Sequence, residues 1–219
     1  MMAADDVTSQ IQGALNTAVS VLSDPRSFFA SLPREGGYEA PATFAGVMLV
    51  AEGIVLGLLS LLRLYPGGFF VSLLFVPILG GIGLAIGAAI LLFLSRALGG
   101  DASFESSFRV VAYSSAVMPI FAVTSIVPYL PLLANAYGLY IGIVAVIAVN
   151  RVPESKAWKV LGGIAGVLLL MSLMATITAR RVAHNLEGWQ QHMEKSAQEF
   201  GKAAEQMKQQ LESQQQKAR

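Results

Sequence analysis

Few residues of this chain have the types and spacing that catalytic chemistry requires. The two histidines, His184 and His192, are eight residues apart near the C-terminus, and the chain contains no cysteine. The sequence shows neither paired acids at metal-ligand spacing nor a glycine-rich phosphate loop following a strand. We therefore predict that the protein is not an enzyme and that it binds neither a metal nor a cofactor.

Glu52 is the one ionisable residue deep inside an apolar stretch. A charged carboxylate at the centre of a membrane helix costs roughly 2.5 to 3.5 kcal/mol, so we expect Glu52 to face other helices. Ser172, Tyr140 and Thr124 lie at comparable depths on other spans, but the sequence does not identify which residue is its partner. Two interpretations stay open. A neutral acid hydrogen-bonded inside a bundle is favoured, because a transporter normally shows more than one such group, and a proton or ion site is the alternative.

The composition indicates that most of the chain lies in a membrane. Of 219 residues, 54% are hydrophobic and only 13% are charged, which is too apolar for a soluble domain of this length. A membrane span needs roughly 20 apolar residues. Suitable stretches are Ala42–Leu62, Phe69–Ser95, two within Val110–Asn150 separated by a turn at Val127–Pro131, and Val160–Ala179. We predict an all-α fold, a five-span transmembrane helical bundle with amphipathic N-terminal helices and a long polar C-terminal helix.

The charges predict an orientation. A net charge of +1 gives no basic surface for nucleic acid. With five spans the termini lie on opposite sides, and most lysines and arginines fall on the N-terminal side. The positive-inside rule then favours a cytoplasmic N-terminus and an external or lumenal C-terminus, although Arg180 and Arg181 oppose it. The first ten residues contain two acids and no basic group, which argues against a cleaved signal peptide.

Three regions are predicted along the chain: residues 1–40 as amphipathic interfacial helices, 41–180 as the membrane domain and 181–219 as an extramembrane amphipathic or coiled-coil tail. In the first region, Asp24 and Pro25 have the types that begin a helix, and we expect Phe28 and Phe29 to enter the membrane interface. In the tail, apolar residues recur every seven positions and form a seam, defined by Leu186, Met193, Phe200 and Met207.

Glycine pairs at a spacing of four occur in four of the five predicted spans. Small residues at this spacing let membrane helices approach closely, so the pairs predict a compact bundle rather than a dimer interface. The pairs are Gly53 and Gly57, Gly83 and Gly87, Gly138 and Gly142, and Gly162 and Gly166.

The stretch "GGDASFESSFRVVAYSSAVMP", residues 99–119, leads from a polar turn into the third span. Gly99 and Gly100 end the second span, and Asp101 has the type that caps a helix. The spacing of Phe104 and the apolar residues after it predicts a short helix at the cytoplasmic membrane surface. Arg109 is expected to anchor that helix at the lipid headgroups.

This stretch, together with "DPRSFFASL" at 24–32 and "YGLYIGIVAVIAVNRVPESKAWKVLGG" at 137–163, resembles the Ypt-interacting-protein (YIP) domain family, bacterial-type members in particular. The resemblance implies five spans, a cytoplasmic N-terminus and a bacterial inner-membrane location. The chain lacks the Asp-Leu-Tyr-Gly-Pro motif of eukaryotic members, so their GTPase-linked trafficking role is not implied. The residues that match the family motifs are Asp24, Pro25, Phe28, Phe29, Gly99, Gly100, Phe104, Tyr113 and Pro119.

Two functions from different classes remain. One is a non-enzymatic membrane scaffold or adaptor, held by the lipid bilayer, whose tail recruits a protein partner or a second copy. The other is a small transporter or channel that uses Glu52 as a proton or ion site. A single intramembrane carboxylate, with no evident inverted repeat or broken helices, favours the scaffold.

Overall fold

The computed structural model describes residues 2–178 together with residues 182, 193, 195, 196 and 201, with residues 2–7 described as backbone only. All regular structure in this part of the chain is helical. The helices are α1 (Met2–Ser23), α2 (Pro25–Ser31), α3 (Glu39–Leu61), α4 (Phe69–Ala97), α5 (Phe104–Ser114), α6 (Met118–Thr124), α7 (Leu130–Val149) and α8 (Glu154–Thr178), with a 3₁₀ turn at Ser115–Val117 between α5 and α6.

Within the described residues, five segments are long and apolar enough to cross a membrane, as the composition predicts. They are α3, α4, the combined segment Phe104–Thr124, α7 and α8. Three of them begin earlier than expected, at Glu39 rather than Ala42, at Phe104 rather than Val110 and at Glu154 rather than Val160. In the first turn of α5, polar residues stay helical because other residues of the structure bind them.

The third span is not one continuous α-helix. It passes from α5 through the 3₁₀ turn into α6, with Pro119 in the first turn of α6. Proline lacks the N–H group that a helix interior needs, so the chain restarts a helix at this position. The neighbouring span α4 also contains a proline, Pro77, inside its helix.

The core of the bundle is built from α1, α2, α3, α5, α7 and α8. Val21, Phe29, Val110, Ile141 and Val146 are each at most 1% exposed within it. By contrast, only 11% of the most apolar part of α4, and the same share of α8, is buried. These two spans therefore present their apolar side chains outward, to the lipid.

The N-terminal helices pack against this core. Asp24 caps α2 as predicted, accepting a hydrogen bond of 3.1 Å from the Ser27 N–H, and Pro25 occupies the first turn. The expectation that Phe29 enters the membrane interface is wrong, because its side chain is 1% exposed in the core. Phe28 makes edge contacts with Phe29 and Tyr113 at 5.2 and 5.4 Å between ring centroids.

The chain divides into two compact units, residues 1–171 and residues 172–219. In the second, the Thr176 hydroxyl donates to the Ser172 carbonyl at 2.8 Å. Of the tail seam, Met193 is described and is 72% exposed, whereas Leu186, Phe200 and Met207 lie outside the described residues. The long polar C-terminal helix and the three-region division stay predictions.

Candidate functional site

Polar side chains gather where α4 ends, α5 begins and α7 ends. We call Ser95, Asp101, Ser106, Ser107 and Asn150 the polar collar. Asn150 is its centre and is 0% exposed. The Ser106 hydroxyl donates to the Asn150 Oδ1 at 2.8 Å, and the Asn150 Nδ2 donates to the hydroxyls of Ser95 and Ser107 at 2.9 and 3.2 Å. One buried amide thus joins three helices, with its polar atoms paired as burial demands.

The backbone of the Gly99-Gly100 turn closes the collar. The Gly100 N–H donates to the Ser95 carbonyl, and the Asp101 N–H donates to the Asn150 carbonyl, both at 2.9 Å. A Cβ at Gly100 would lie 2.7 Å from the Asn150 carbonyl oxygen, closer than such atoms approach. Gly99 has φ +84°, a conformation that favours glycine. The turn requires glycine at both positions, for different reasons.

The N-cap of helix α5 is Ser103 rather than Asp101, the predicted cap. The Ser106 N–H donates to the Ser103 hydroxyl, and the Ser103 N–H donates to the Ser106 hydroxyl, both at 3.0 Å. This reciprocal arrangement is a capping box, here with serine at both positions. Ser106 therefore both starts the helix and binds Asn150.

Arg34, from the segment between α2 and α3, ties the N-terminal region to the collar. Its Nε donates to the Val149 carbonyl at 2.8 Å, and its guanidinium donates to the Asp101 Oδ2 at 2.9 Å and to the Asp101 backbone carbonyl. Arg151 lies 3.9 Å from the same carboxylate. The hydrogen bond and charge of Arg34 lower the pKa of Asp101 from its ordinary value.

The lowered pKa predicts how Asp101 contributes to stability across pH. The contribution is complete above the unfolded aspartate value of about 3.9 and is lost as the pH falls through the lower folded value. We expect the melting temperature of Asp101→Asn to lie below that of the wild type by a constant amount from pH 5 to 7, with the difference closing towards pH 3. Thermal unfolding in detergent measures it, with Glu35→Gln as the control. An equal difference at pH 3 and pH 7 would contradict the assignment.

Arg109 is 4% exposed, so the expectation that it anchors a surface helix at the headgroups is wrong. Its Nη2 donates to the Gly37 carbonyl at 2.9 Å, and its Nε lies 3.5 Å from the Glu105 carboxylate, which accepts from the Gly37 N–H at 2.7 Å. A buried guanidinium is tolerated when it is paired in this way. Helix α5 is part of the third candidate span, Phe104–Thr124, and its position at the cytoplasmic membrane surface stays a prediction.

The aromatic residues of the family motifs pack around α5. Tyr113 lies 5.1 Å from Phe44 and 5.4 Å from Phe28, measured between ring centroids. Phe104 lies 6.3 Å from Tyr38 and is 40% exposed. These rings join α2 and the start of α3 to the third span.

Glu52 lies on the face of α3 that also carries Met48, Leu49 and Leu56, all of which are buried. Its own side chain is partly buried, and the described residues provide it with no hydrogen bond or ion pair. The proposed partner Thr124 instead donates to the Phe121 carbonyl at 2.9 Å. Glu52 therefore lies on the buried side of α3, and the described residues show no partner for it.

The predicted glycine pairs differ in what they contact. A Cβ at Gly53 would lie 3.0 Å from the Ser72 carbonyl, and one at Gly57 2.9 Å from the Phe69 ring, so α3 and α4 are closely packed there. The other predicted positions are less crowded: the nearest atom to an added Cβ is at 3.2 Å for Gly138, 3.5 Å for Gly87 and 3.8 Å for Gly162, and no described atom lies within 4 Å for Gly83, Gly142 and Gly166. The packing role of these glycines stays a prediction.

Asn150 and Arg34, the most connected residues of the site, were missed by sequence reasoning. Asn150 stands at the last position of a long uncharged run, directly before Arg151, where a polar residue reads as an ordinary helix end. The signal that could have found Asn150 is the serine pair Ser106-Ser107 in the first turn of α5. Two neighbouring hydroxyls at the start of an apolar segment need a buried hydrogen-bond partner.

Comparison with known proteins assigns the fold. The Yip1 domain family model matches residues 19–176, which include every residue of the polar collar as well as Arg34 and Glu52. No curated protein and no solved structure matches the chain. Within the described residues, no group of three histidine, cysteine, aspartate or glutamate side chains is placed to hold a metal ion. The chain is a multi-pass membrane protein and belongs to the Yip1 domain family.

Proposed function

We propose that this Yip1 domain protein is a membrane scaffold or adaptor without enzymatic activity, which organises membrane or partner proteins. The proposal rests on the side chain of Asn150, which is fully buried and hydrogen-bonded to Ser95, Ser106 and Ser107. The buried side chains of the polar collar bind one another, so they join helices together and are not free to bind a solute.

The N-terminal helices fit an anchoring role. On α1, Ala14 and Ala18 are buried, and the adjacent side of the helix carries Ile11, Leu15 and Val19, which are 44 to 64% exposed. An exposed apolar stripe next to polar residues is typical of a helix that lies in the membrane interface. We propose that α1 and α2 lie there, on the cytoplasmic side of a bacterial inner membrane. An impermeant thiol reagent that labels Glu35→Cys in intact cells would contradict this orientation.

The tail is proposed to recruit a protein partner or a second copy through the seam that contains Met193 and Phe200. Replacing both with lysine should abolish tail-driven association while the bundle still inserts, because the seam loses two apolar side chains and gains two charges. Apolar burial is worth roughly 1.5 to 3 kcal/mol for each side chain, so the affinity should fall at least a hundredfold.

Mass by light scattering and co-purification from native membranes measure this association. The matched control is Gln191→Lys with Gln198→Lys, which adds the same charge two positions away from each seam residue. If the seam variant keeps the wild-type mass and partners, the tail does not recruit through this seam.

A transporter that uses Glu52 is the second candidate, and two observations favour it. Glu52 faces the buried side of α3 with no partner among the described residues, and the third span, beside α3, is interrupted by the 3₁₀ turn before α6. An interrupted helix next to an intramembrane carboxylate is a feature of ion-coupled transporters. In the sequence, Pro119 marks a helix boundary but does not locate this turn.

Proton flux into liposomes decides between the two candidates. The scaffold predicts that liposomes containing the wild-type protein leak protons no faster than empty ones, and that Glu52→Gln changes nothing. Flux that Glu52→Gln abolishes and that Glu35→Gln, outside the spans, preserves would make the protein a transporter.

A further inference from the structure

A cleft of about 450 Å³ lies between α1 and the start of α3. This volume falls in the range of small-molecule sites. Gly13 of α1 forms part of its wall, and no described atom lies within 4 Å of a Cβ built there. The cleft is separate from the polar collar and from Glu52, and the scaffold proposal gives it no role.

The cleft carries one negative charge and no positive one among its lining residues. Glu39 lines it, no lysine or arginine does, and the described residues give Glu39 no ion pair. The Thr17 hydroxyl donates its proton to the Gly13 carbonyl at 2.9 Å, so it offers only lone pairs to the cleft, whereas Gln10 and Thr43 can both donate and accept. The charge of the lining therefore favours a ligand that carries a positive charge.

Two aromatic rings complete the site. Phe44 and Tyr113 both line the cleft, with their ring centroids 5.1 Å apart. Aromatic faces attract cations, most strongly where the pair is removed from water. No lysine or arginine is among the lining residues, and the Arg109 guanidinium behind Gly36 is paired with the Gly37 carbonyl and with Glu105. The carboxylate and the two rings therefore favour an ammonium group over a phosphate or carboxylate.

The position of the cleft indicates where the ammonium group comes from. Glu39 is the first residue of the first membrane span, and Phe44 lies more than one helical turn deeper. The opening therefore lies at the height of the lipid headgroups. We propose that this cleft binds an alkylammonium group, presented by the headgroup of an aminophospholipid such as phosphatidylethanolamine.

Native mass spectrometry of the full chain in detergent tests the proposal, with phosphatidylethanolamine and phosphatidylglycerol added in equal amounts. The wild type should retain the amine lipid about tenfold better, the factor that one charge-assisted hydrogen bond supplies. Glu39→Gln should remove the preference by removing the charge. Gly13→Leu should remove it by filling the cleft, without changing any charge.

Matched controls separate the site from general effects. Glu35→Gln removes a nearby acid outside the cleft, and Gly83→Leu adds the same side chain at another open helical glycine. Both should keep the wild-type preference. Circular dichroism confirms that each variant is folded, which is expected because leucine favours helix more than glycine does.

Competition with soluble ethanolamine tests whether the ammonium group is what the cleft recognises. Displacement of bound phosphatidylethanolamine by ethanolamine supports the site, whereas binding of ethanolamine without retention of the amine lipid contradicts a lipid ligand. Equal retention of both lipids by the wild type, or an undiminished preference in both Glu39→Gln and Gly13→Leu, would overturn the proposal.

Discussion

Gly100→Ala is expected to destabilise the folded protein by about 1 to 3 kcal/mol, the range for forcing an extra carbon into a closely packed site. The new Cβ would lie 2.7 Å from both the Asn150 carbonyl oxygen and the Val152 Cγ2, and 2.9 Å from the Ser95 carbonyl oxygen. Two of these atoms are backbone and are held by the hydrogen bonds of the turn, so they cannot move aside cheaply. The backbone of the turn would have to move, and the hydrogen bonds that join it to Ser95 and Asn150 would lengthen or break.

Chemical or thermal unfolding in detergent measures this loss. Gly142→Ala is the matched control, because it adds the same methyl group to a glycine of α7 that has no described atom within 4 Å of an added Cβ. It should be neutral or slightly stabilising, since alanine favours helix. Equal unfolding curves for the two variants would show that the close approach at Gly100 is not a constraint on the fold.

Asn150→Ala is expected to destabilise the protein by about 2 to 3 kcal/mol. Truncation leaves the hydroxyls of Ser95, Ser106 and Ser107 without the amide that joins them, at a position where all four side chains are buried. A buried polar group that loses its partner costs about 1 to 3 kcal/mol. The control is Asn135→Ala, on the same helix, for which the described residues provide no hydrogen bond. A loss no greater than that of the control would contradict the role of Asn150.

The spans were predictable because hydropathy alone specifies them. A membrane helix needs about 20 apolar residues, and the part of the chain that the structure describes contains five helices that meet this requirement, as predicted. Asp24 was also predictable as the cap of α2, since its hydrogen bond reaches only to Ser27, three residues on. Such local signals depend on neighbouring residues and need no knowledge of the fold.

The collar was not predictable in the same way, because its contacts join distant parts of the chain. Arg34 bonds to Val149 and Asp101, and Ser106 bonds to Asn150, forty-four residues away. Hydropathy treats Ser106 and Arg109 as residues too polar for a span, which is why α5 was predicted at the membrane surface. Once each polar group has a buried partner, the same residues enter the bundle.

The position of the break in the third span could not be predicted from the sequence either. Pro119 marks a helix boundary in the sequence, but proline is tolerated in membrane helices, so the residue alone does not fix where α5 stops. The 3₁₀ turn at Ser115–Val117 begins four residues earlier. This position bears on the transporter candidate, because it places an interrupted helix beside the span that carries Glu52.

If the polar collar joins α4, α5 and α7, the contributions of Asn150 and Ser106 to stability must be coupled. A double-mutant cycle between these two residues measures that coupling. Unfolding free energies are measured for Asn150→Ala, Ser106→Ala and the double variant. A control cycle pairs Asn150 with Ser115, which is equally buried but donates to the Ala112 carbonyl of its own helix. We expect a coupling energy of about 1 kcal/mol or more in the first cycle and none in the second. Additive losses in both cycles would show that the hydrogen bonds of the polar collar do not hold the helices together.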